Sequence, residues 1–317
     1  MPDVALKYFH ATAVHGSMRA AGLKMNVAVS SISRQIAQLE TALGVRLLET
    51  GRRSIKLTDA GQLAFDYYQA QVAGREAFTA RLEALRGLKA GVVELAIGDG
   101  CQTRSLHTAL DRFRMQHPGI ELAITTGASD VILRMILNDE VHVAIGLAIP
   151  TDPKLRVRTT ARQPLTVVVH PDHPLARLTG VRLPELARHD LCLAPRGSRI
   201  RQILAQAELR QQVWLKAAIT TNGFQTMREM ALIGRVATVL PATSVSQDID
   251  EGRLVSRPLV GVDIEDAPLE LVTRLGRQLP SAAMLALPAL EQQIKAWSRP
   301  AAAPLAPPAE PLSRAEG

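Results

Sequence analysis

Residues 14–61 read VHGSMRAAGLKMNVAVSSISRQIAQLETALGVRLLETGRRSIKLTDAG. Within them Ile32, Ile36, Leu39 and Leu43 step by four, three and four residues, which is one buried stripe of a helix predicted over Val29–Leu43. Gly44 supplies the left-handed residue that ends such a helix. Upstream, Ser17 predicts the N-cap of a short helix running to about residue 23. Ala20 and Ala21 are small enough for two helices to approach closely, and Asn26 and Val27 make the turn between them. Residues 4–14 add a preceding helix with Leu6, Phe9 and Ala13 on one face. Downstream, 46–48 and 54–57 read as extended pieces around a hairpin tip at Gly51-Arg52-Arg53. A helix pair with a tight turn and a basic wing is the geometry that reads the DNA major groove.

If the isoleucines of the third helix face inward, Ser30, Ser33, Arg34 and Gln38 fall on or beside its outward face. Hydroxyls and helix N-terminal amides suit phosphate oxygens, which puts Ser17, Ser30 and Ser33 among the candidate DNA contacts. Arg34 either bonds a phosphate or forks onto a guanine edge, and Val29 can meet a thymine methyl. Arg52 and Arg53 are placed to enter a narrow minor groove.

Thr58-Asp59 predicts the cap of a long helix that runs to about residue 88. Phe78, Leu82 and Leu85, with Tyr68 further up the same heptad frame, suit pairing with a second copy, although Gln71, Arg75 and Lys89 interrupt the frame. Packing on the chain's own domains is the alternative. Gly87 and Gly91 bracket the exit. From residue 92 onward short β-branched runs alternate with helices, the order of a mostly parallel sheet covered on both faces. Strands are expected at 92–97, 120–125, 141–145, 165–169, 191–193, 215–220, 236–240 and 269–274, and helices at 103–116, 130–138, 199–208, 224–233 and 281–297. The division this implies is a winged helix-turn-helix head at 1–58, a linking dimerisation helix at 59–90, and an α/β two-lobed effector domain at 91–297. Lobe I takes about 91–161 and 266–297, and lobe II about 162–265. Residues 298–317, with several Pro and Ala and no periodicity, are expected to be a disordered tail.

The charge distribution agrees with this division. The 317 residues carry a net charge of +7. Eight basic side chains face three acidic ones in residues 1–57, residues 58–89 balance four against four, and the rest holds 25 against 23. The positive field therefore sits on the head, as binding to a polyanion requires. No apolar run is long enough to span a bilayer and no signal-peptide pattern opens the chain, so the cytosol is the expected compartment. Two cysteines, Cys101 and Cys192, make no disulfide framework. The chain has no P-loop, HExxH, nucleophile elbow or Rossmann glycine set, which argues against an enzyme. The missing export-signal pattern and the basic head argue against a secreted solute-binding protein, and equal affinity for random and upstream DNA would mark a nucleoid-type DNA binder without ligand control.

The stretch GSMRAAGLKMNVAVSSISRQIAQLETALGVRLL, followed by RSIKLTDAG, resembles the N-terminal signature of LysR-type transcriptional regulators. The shared positions include Phe9, Gly16-Ser17, Ala20-Ala21, Ser33-Arg34-Gln35-Ile36, Leu39-Glu40, Leu43-Gly44, Leu47, Arg53, Leu57-Thr58 and Ala60-Gly61. Weaker similarity continues through 92–98, 113–118, DHPLA at 172–176 and GRVATVLP at 234–241. The resemblance implies a homodimer or homotetramer that binds an interrupted palindrome in double-stranded DNA. It also implies a coinducer held between two lobes like those of periplasmic binding proteins. Three positions depart from the family pattern. Ala28-Val29 stands where a polar Ser-Gln pair usually opens the recognition helix, Leu48 replaces a usual Phe, and Thr50 replaces a usual Arg. These departures bear on the DNA sequence recognised, not on the fold.

Ligands of open α/β sheets sit outside the carboxyl ends of strands, where helix N-termini point donors into a crevice. Four segments qualify: Gly100, Cys101, Gln102 and Thr103; Thr126, Gly127 and Ser129; Ser198; and Thr220 with Asn222. Hydroxyls and amides there suit a small polar metabolite, anions included, while Asp99 would repel an acid ligand or select an amine or hydroxyl. Ser129 and Ser198 have a plainer role open to them as helix caps. Cys101 lies in the first of these loops, where a redox-sensing thiol is one reading and an ordinary small side chain the other. His170-Pro171-Asp172-His173 reads as a loop rather than a metal site. No cofactor is expected.

Overall fold

The computed structural model describes residues 3–49, 55–85 and 90–298. The expected tail beyond residue 298 and the wing tip with Arg52 and Arg53 lie outside them. Three helices open the chain: α1 (Asp3–Val14), α2 (Met18–Met25) and α3 (Val29–Leu43). Ser17 caps α2 by accepting from the Ala20 amide at 3.1 Å. Asn26 closes α2 in the left-handed region at φ 55° and ψ 46°, a conformation Asn tolerates. Gly22 permits the tight turn, since a Cβ there would come within 2.7 Å of the Val27 carbonyl oxygen. Leu6, Phe9, Ala21, Ile32, Ile36, Leu39 and Leu47 form the head's core.

The wing begins where Leu48 and Leu57 make an antiparallel bridge. Glu40, near the end of α3, fastens it: one carboxylate oxygen accepts from the amides of Leu47 (2.7 Å) and Leu48 (3.2 Å). Helix α4 (Asp59–Leu85) follows. Thr58 caps it by accepting from the Gly61 amide at 3.0 Å. A side chain at Gly61 would collide with the Leu47 carbonyl. Tyr68 does not share a face with Phe78 and Leu82. It is buried with Phe65 in the head's core, whereas Phe78 is 63% and Leu82 43% exposed. The exposed line instead runs through Leu63, Tyr67, Ala70, Gly74, Phe78 and Leu82.

The remaining chain builds two five-stranded sheets. Lobe I begins with β1 (Gly91–Gly98), α5 (Arg104–Gln116), β2 (Ile120–Gly127), α6 (Ser129–Leu137), β3 (Val143–Leu147) and β4 (Leu155–Gln163). The chain then crosses into lobe II. This comprises β5 (Leu165–Val169), α7 (Leu183–Leu186), β6 (Leu191–Leu193), α8 (Arg199–Gln211), β7 (Ala217–Thr220), α9 (Phe224–Leu232), β8 (Ala237–Pro241), α10 (Ser246–Asp250) and β9 (Val255–Pro258). It returns through β10 (Ala267–Arg274) and α11 (Ser281–Trp297). The strand orders are β2-β1-β3-β10-β4 and β7-β6-β8-β5-β9. The sheets are mixed rather than mostly parallel. β1, β2 and β3 pair in parallel, but β10 runs against both β3 and β4. In lobe II, β5 runs against β8 and β9. The crossing strands enter each sheet from the other lobe, which reverses their direction.

Helix α4 also rests on lobe I. Gln69 donates to the Leu137 carbonyl at 2.9 Å, and Glu76 pairs with Arg277 at 3.2 Å. The Arg277 side chain is almost fully buried, donates to the Val141 carbonyl at 2.6 Å, and lies 3.3 Å from Asp139. Asp139 is shared with Arg274 at 2.6 Å.

Candidate nucleic-acid interface and interlobe cleft

Helix α3 divides by burial as its spacing predicts. Ile32, Ile36 and Leu39 are buried, while Val29, Ser30, Ser33, Arg34 and Gln38 are exposed. None of the four polar side chains in the exposed set has an intramolecular partner among the described residues. Ala28 gives α3 no side-chain cap, and the amides of Val29 and Ser30 have no partner among the described residues. An exposed helix N-terminus with unpaired amides attracts anions, and phosphate oxygens are the anions of a DNA groove. Arg34 adds a guanidinium one turn further along the exposed edge. Ser17 is half-buried and spends its acceptor on the α2 cap, which leaves its hydroxyl proton free.

Glu40 and Gly61 belong to the shared sequence pattern, and each has a physical task in the fold. Glu40 ties the strand residues Leu47 and Leu48 to α3. Gly61 lets α4 start against the wing. The spacing Glu40 to Leu47 carries no periodic signal, because its partners are backbone amides.

Between the lobes lies a cavity of about 310 Å³. Its walls are mainly apolar, from Leu147, Pro150, Pro195, Ile200, Phe224 and Met227. Of the expected ligand-contacting residues it brings together Ser129, Ser198 and Asn222. Ser129 donates its hydroxyl to the Leu147 carbonyl at 2.8 Å. Ser198 caps α8 by accepting from the Arg201 amide at 3.3 Å. Asn222 is exposed and has no partner among the described residues. Ala148, also on the wall, holds φ at 50°, a strained value for a residue with a Cβ.

The other candidates lie elsewhere. Gly100 and Cys101 are buried, and the Phe224 ring covers Gly100 so closely that a Cβ there would lie 2.8 Å from it. Gln102 and Thr103 line a second cavity of about 350 Å³, with Arg104, His107 and Arg228. Thr103 caps α5 there by accepting from the Leu106 amide at 3.3 Å. Thr126, Gly127 and Thr220 line neither cavity. They end β2 and β7, which are the outer strands of their sheets.

Cys101 does not have the environment of a sensing thiol. Burial, reinforced by the charge of Asp99, pushes its pKa up to about 12, which suppresses the reactive thiolate. Burial raises Cys192 as well. Asp99 itself is shifted upward by burial. The histidines of 170–173 are held locally: His170 Nδ1 accepts from the Asp172 amide and His173 Nδ1 from the Leu175 amide, both at 3.2 Å. No cluster of three or more candidate metal ligands occurs among the described residues. Among the same residues no helix is long and apolar enough to cross a membrane.

The chain matches two family models. The LysR substrate binding domain covers residues 86–294, and the bacterial regulatory helix-turn-helix protein of the lysR family covers residues 4–62. The SDS degradation transcriptional activation protein of Pseudomonas sp. is 31% identical over 286 residues, spanning 88% of this chain and 92% of that protein. The RuBisCO operon transcriptional regulator of Allochromatium vinosum is 27% identical over 284 residues, spanning 88% and 91%. Among solved structures, CbnR, a LysR family transcriptional regulator, is 26% identical with a TM-score of 0.54, covering 92% of this chain and 100% of that one.

Proposed function

Because the chain belongs to the LysR family of transcriptional regulators, which are not enzymes, we propose that it binds operator DNA through the exposed edge of α3 and changes its hold on that DNA when a small molecule occupies the interlobe cavity. The observation that carries the first half is the exposed set Ser30, Ser33, Arg34 and Gln38, without partners among the described residues and opposite buried Ile32 and Ile36. Val29 and Ser17 flank this edge, and Arg52 and Arg53, which lie outside the described residues, are further proposed contacts on the ground of their charge. The ligand is a small metabolite with a polar end, contacted by Ser198 and Asn222. Residues 1–58 act as the DNA-binding head, 59–90 as the linking helix, and 91–297 as the sensing domain. The protein works in the cytoplasm.

Self-association belongs to this reading. Leu63, Tyr67, Phe78 and Leu82 put apolar side chains in solvent along one line of α4, a surface that a second copy would cover. Paired heads suit two half-sites on one face of the duplex. A ligand regulates such an assembly only by binding its two arrangements unequally.

The test is a gel shift with the gene's own upstream DNA against random DNA of equal length. Specific binding should appear only on the upstream fragment and weaken steeply with salt as counterions are released. Equal binding to both fragments would refute the reading.

A further inference from the structure

Helix α3 opens with two side chains that neither donate nor accept a hydrogen bond. Ala28 stands at its N-cap, exposed and without a side-chain cap, and Val29 is its first residue, 44% exposed. The chain turns these two outward as it enters the helix: Val27 packs on the head's core, and Ile32, three residues beyond Val29, is fully buried. The Val29 side chain is held in place all the same. Its Cγ2 lies 3.6 Å from the position a Cβ on Gly22 would take, so one methyl faces α2 while much of the residue faces solvent. A β-branched side chain in a helix has one strongly preferred χ1, which leaves few other orientations open to it.

Recognition helices meet base edges with their N-terminal residues. Val29 and Ser33 are four residues apart and therefore neighbours on α3, on the edge that continues through exposed Arg34. Ser33 brings a hydroxyl and Arg34 a guanidinium, whereas Val29 brings only methyl groups. A polar base edge pressed against those methyls would lose water and gain no hydrogen bond. Of the four bases, only thymine places a methyl in the major groove.

Resting on the reading that the exposed edge of α3 lies in the major groove of operator DNA, we propose that Val29 is a specificity-determining residue that selects a thymine by packing on its C5 methyl. The contact is apolar on both sides. It therefore discriminates against uracil, which differs from thymine by that methyl alone, as well as against cytosine and the purines.

The test is uracil interference with the full-length protein. The gene's own upstream DNA is prepared with thymine sparsely replaced by uracil, bound and unbound fractions are separated on a gel, and each is cleaved at its uracils. At one thymine position or more, uracil should weaken wild-type binding about three- to fivefold, as the loss of roughly one buried methyl requires. In Val29→Ala the same position should become indifferent to uracil. Val29→Ser is the second variant with the same expected result. Arg34→Ala should weaken binding overall and keep the uracil signal at that position. Specific binding in which no thymine responds to uracil, or in which every responding position persists in both Val29 variants, would overturn the role of Val29 and leave the DNA-binding edge standing. No preference of the wild-type protein for upstream over random DNA would overturn that reading and the proposal with it.

Discussion

Replacing Glu40 with alanine should loosen the wing more than any other single change on the surface of the head. The carboxylate is 11% exposed and accepts two backbone amides, at 2.7 and 3.2 Å. A hydrogen bond to a charged group contributes roughly 1.5–3 kcal/mol. Leu47 is buried and its amide would be left without a partner, whereas Leu48 is only partly covered, so water can replace the second bond. The ion pair with Arg46 at 3.4 Å adds little, because that guanidinium is 72% exposed. The net loss is therefore about 2–3 kcal/mol, or roughly a 30- to 150-fold rise in local opening. Native-state hydrogen exchange of the Leu47 and Leu48 amides reads this directly. Glu40→Gln keeps a neutral acceptor and should lose about half as much. Exchange within about twofold of wild type in Glu40→Ala would refute the reasoning. So would a glutamine variant as damaged as the alanine one.

Three further outcomes are expected. His10, stacked on Phe65 with ring centroids 4.5 Å apart, has its pKa lowered to about 4, first by burial and then by the charge of His15. His142 is lowered to about 4 by burial and by Arg277. The unfolded chain therefore takes up these protons first, so stability is full above about pH 6.5 and declines as pH falls toward 4, by at most about 3 kcal/mol per histidine. Urea midpoints that do not move between pH 7 and 5 would contradict this, and His10→Phe should remove the head's share of the slope. Arg277→Met leaves Asp139 buried without one of its cations and removes the tie to Glu76, and should destabilise lobe I by about 3 kcal/mol in chemical unfolding; a change below about 1 kcal/mol would show that the network contributes little. Phe78→Glu, on the exposed line of α4, should shift the protein toward monomer in sedimentation velocity, and an unchanged oligomer would place self-association elsewhere.

The head was legible because its signals are local. The isoleucine steps, Ser17, Asn26 and Gly44 each act within a turn of themselves, and α3 spans Val29–Leu43 as its spacing predicts. The buried strands β1, β3, β5 and β8 were legible as apolar runs. Strand β4 was not, because Arg156, Arg158 and Arg162 break its apolar pattern and its partner β10 comes more than a hundred residues later. That partnership also sets the antiparallel half of the sheet. Tyr68 fitted a heptad with Phe78, but burial against Phe65 and the α1 side of the head outweighs the frame. The cavity was legible only in outline. Loop ends identified Ser129, Ser198 and Asn222, but nothing in the sequence shows that Phe224 covers Gly100 or that Arg199 pairs with Glu265. Such facts depend on contacts between segments distant in the chain.

Binding of Arg34→Ala to upstream DNA, measured across a salt series, tests the account most directly. Arg34 is exposed and makes no hydrogen bond or ion pair among the described residues, so the variant should fold as wild type does. It should bind about 10- to 150-fold more weakly, and if the contact is to a phosphate the salt slope should fall by about one. Wild-type affinity and slope in a folded Arg34→Ala protein would mean that this edge of α3 does not face the duplex.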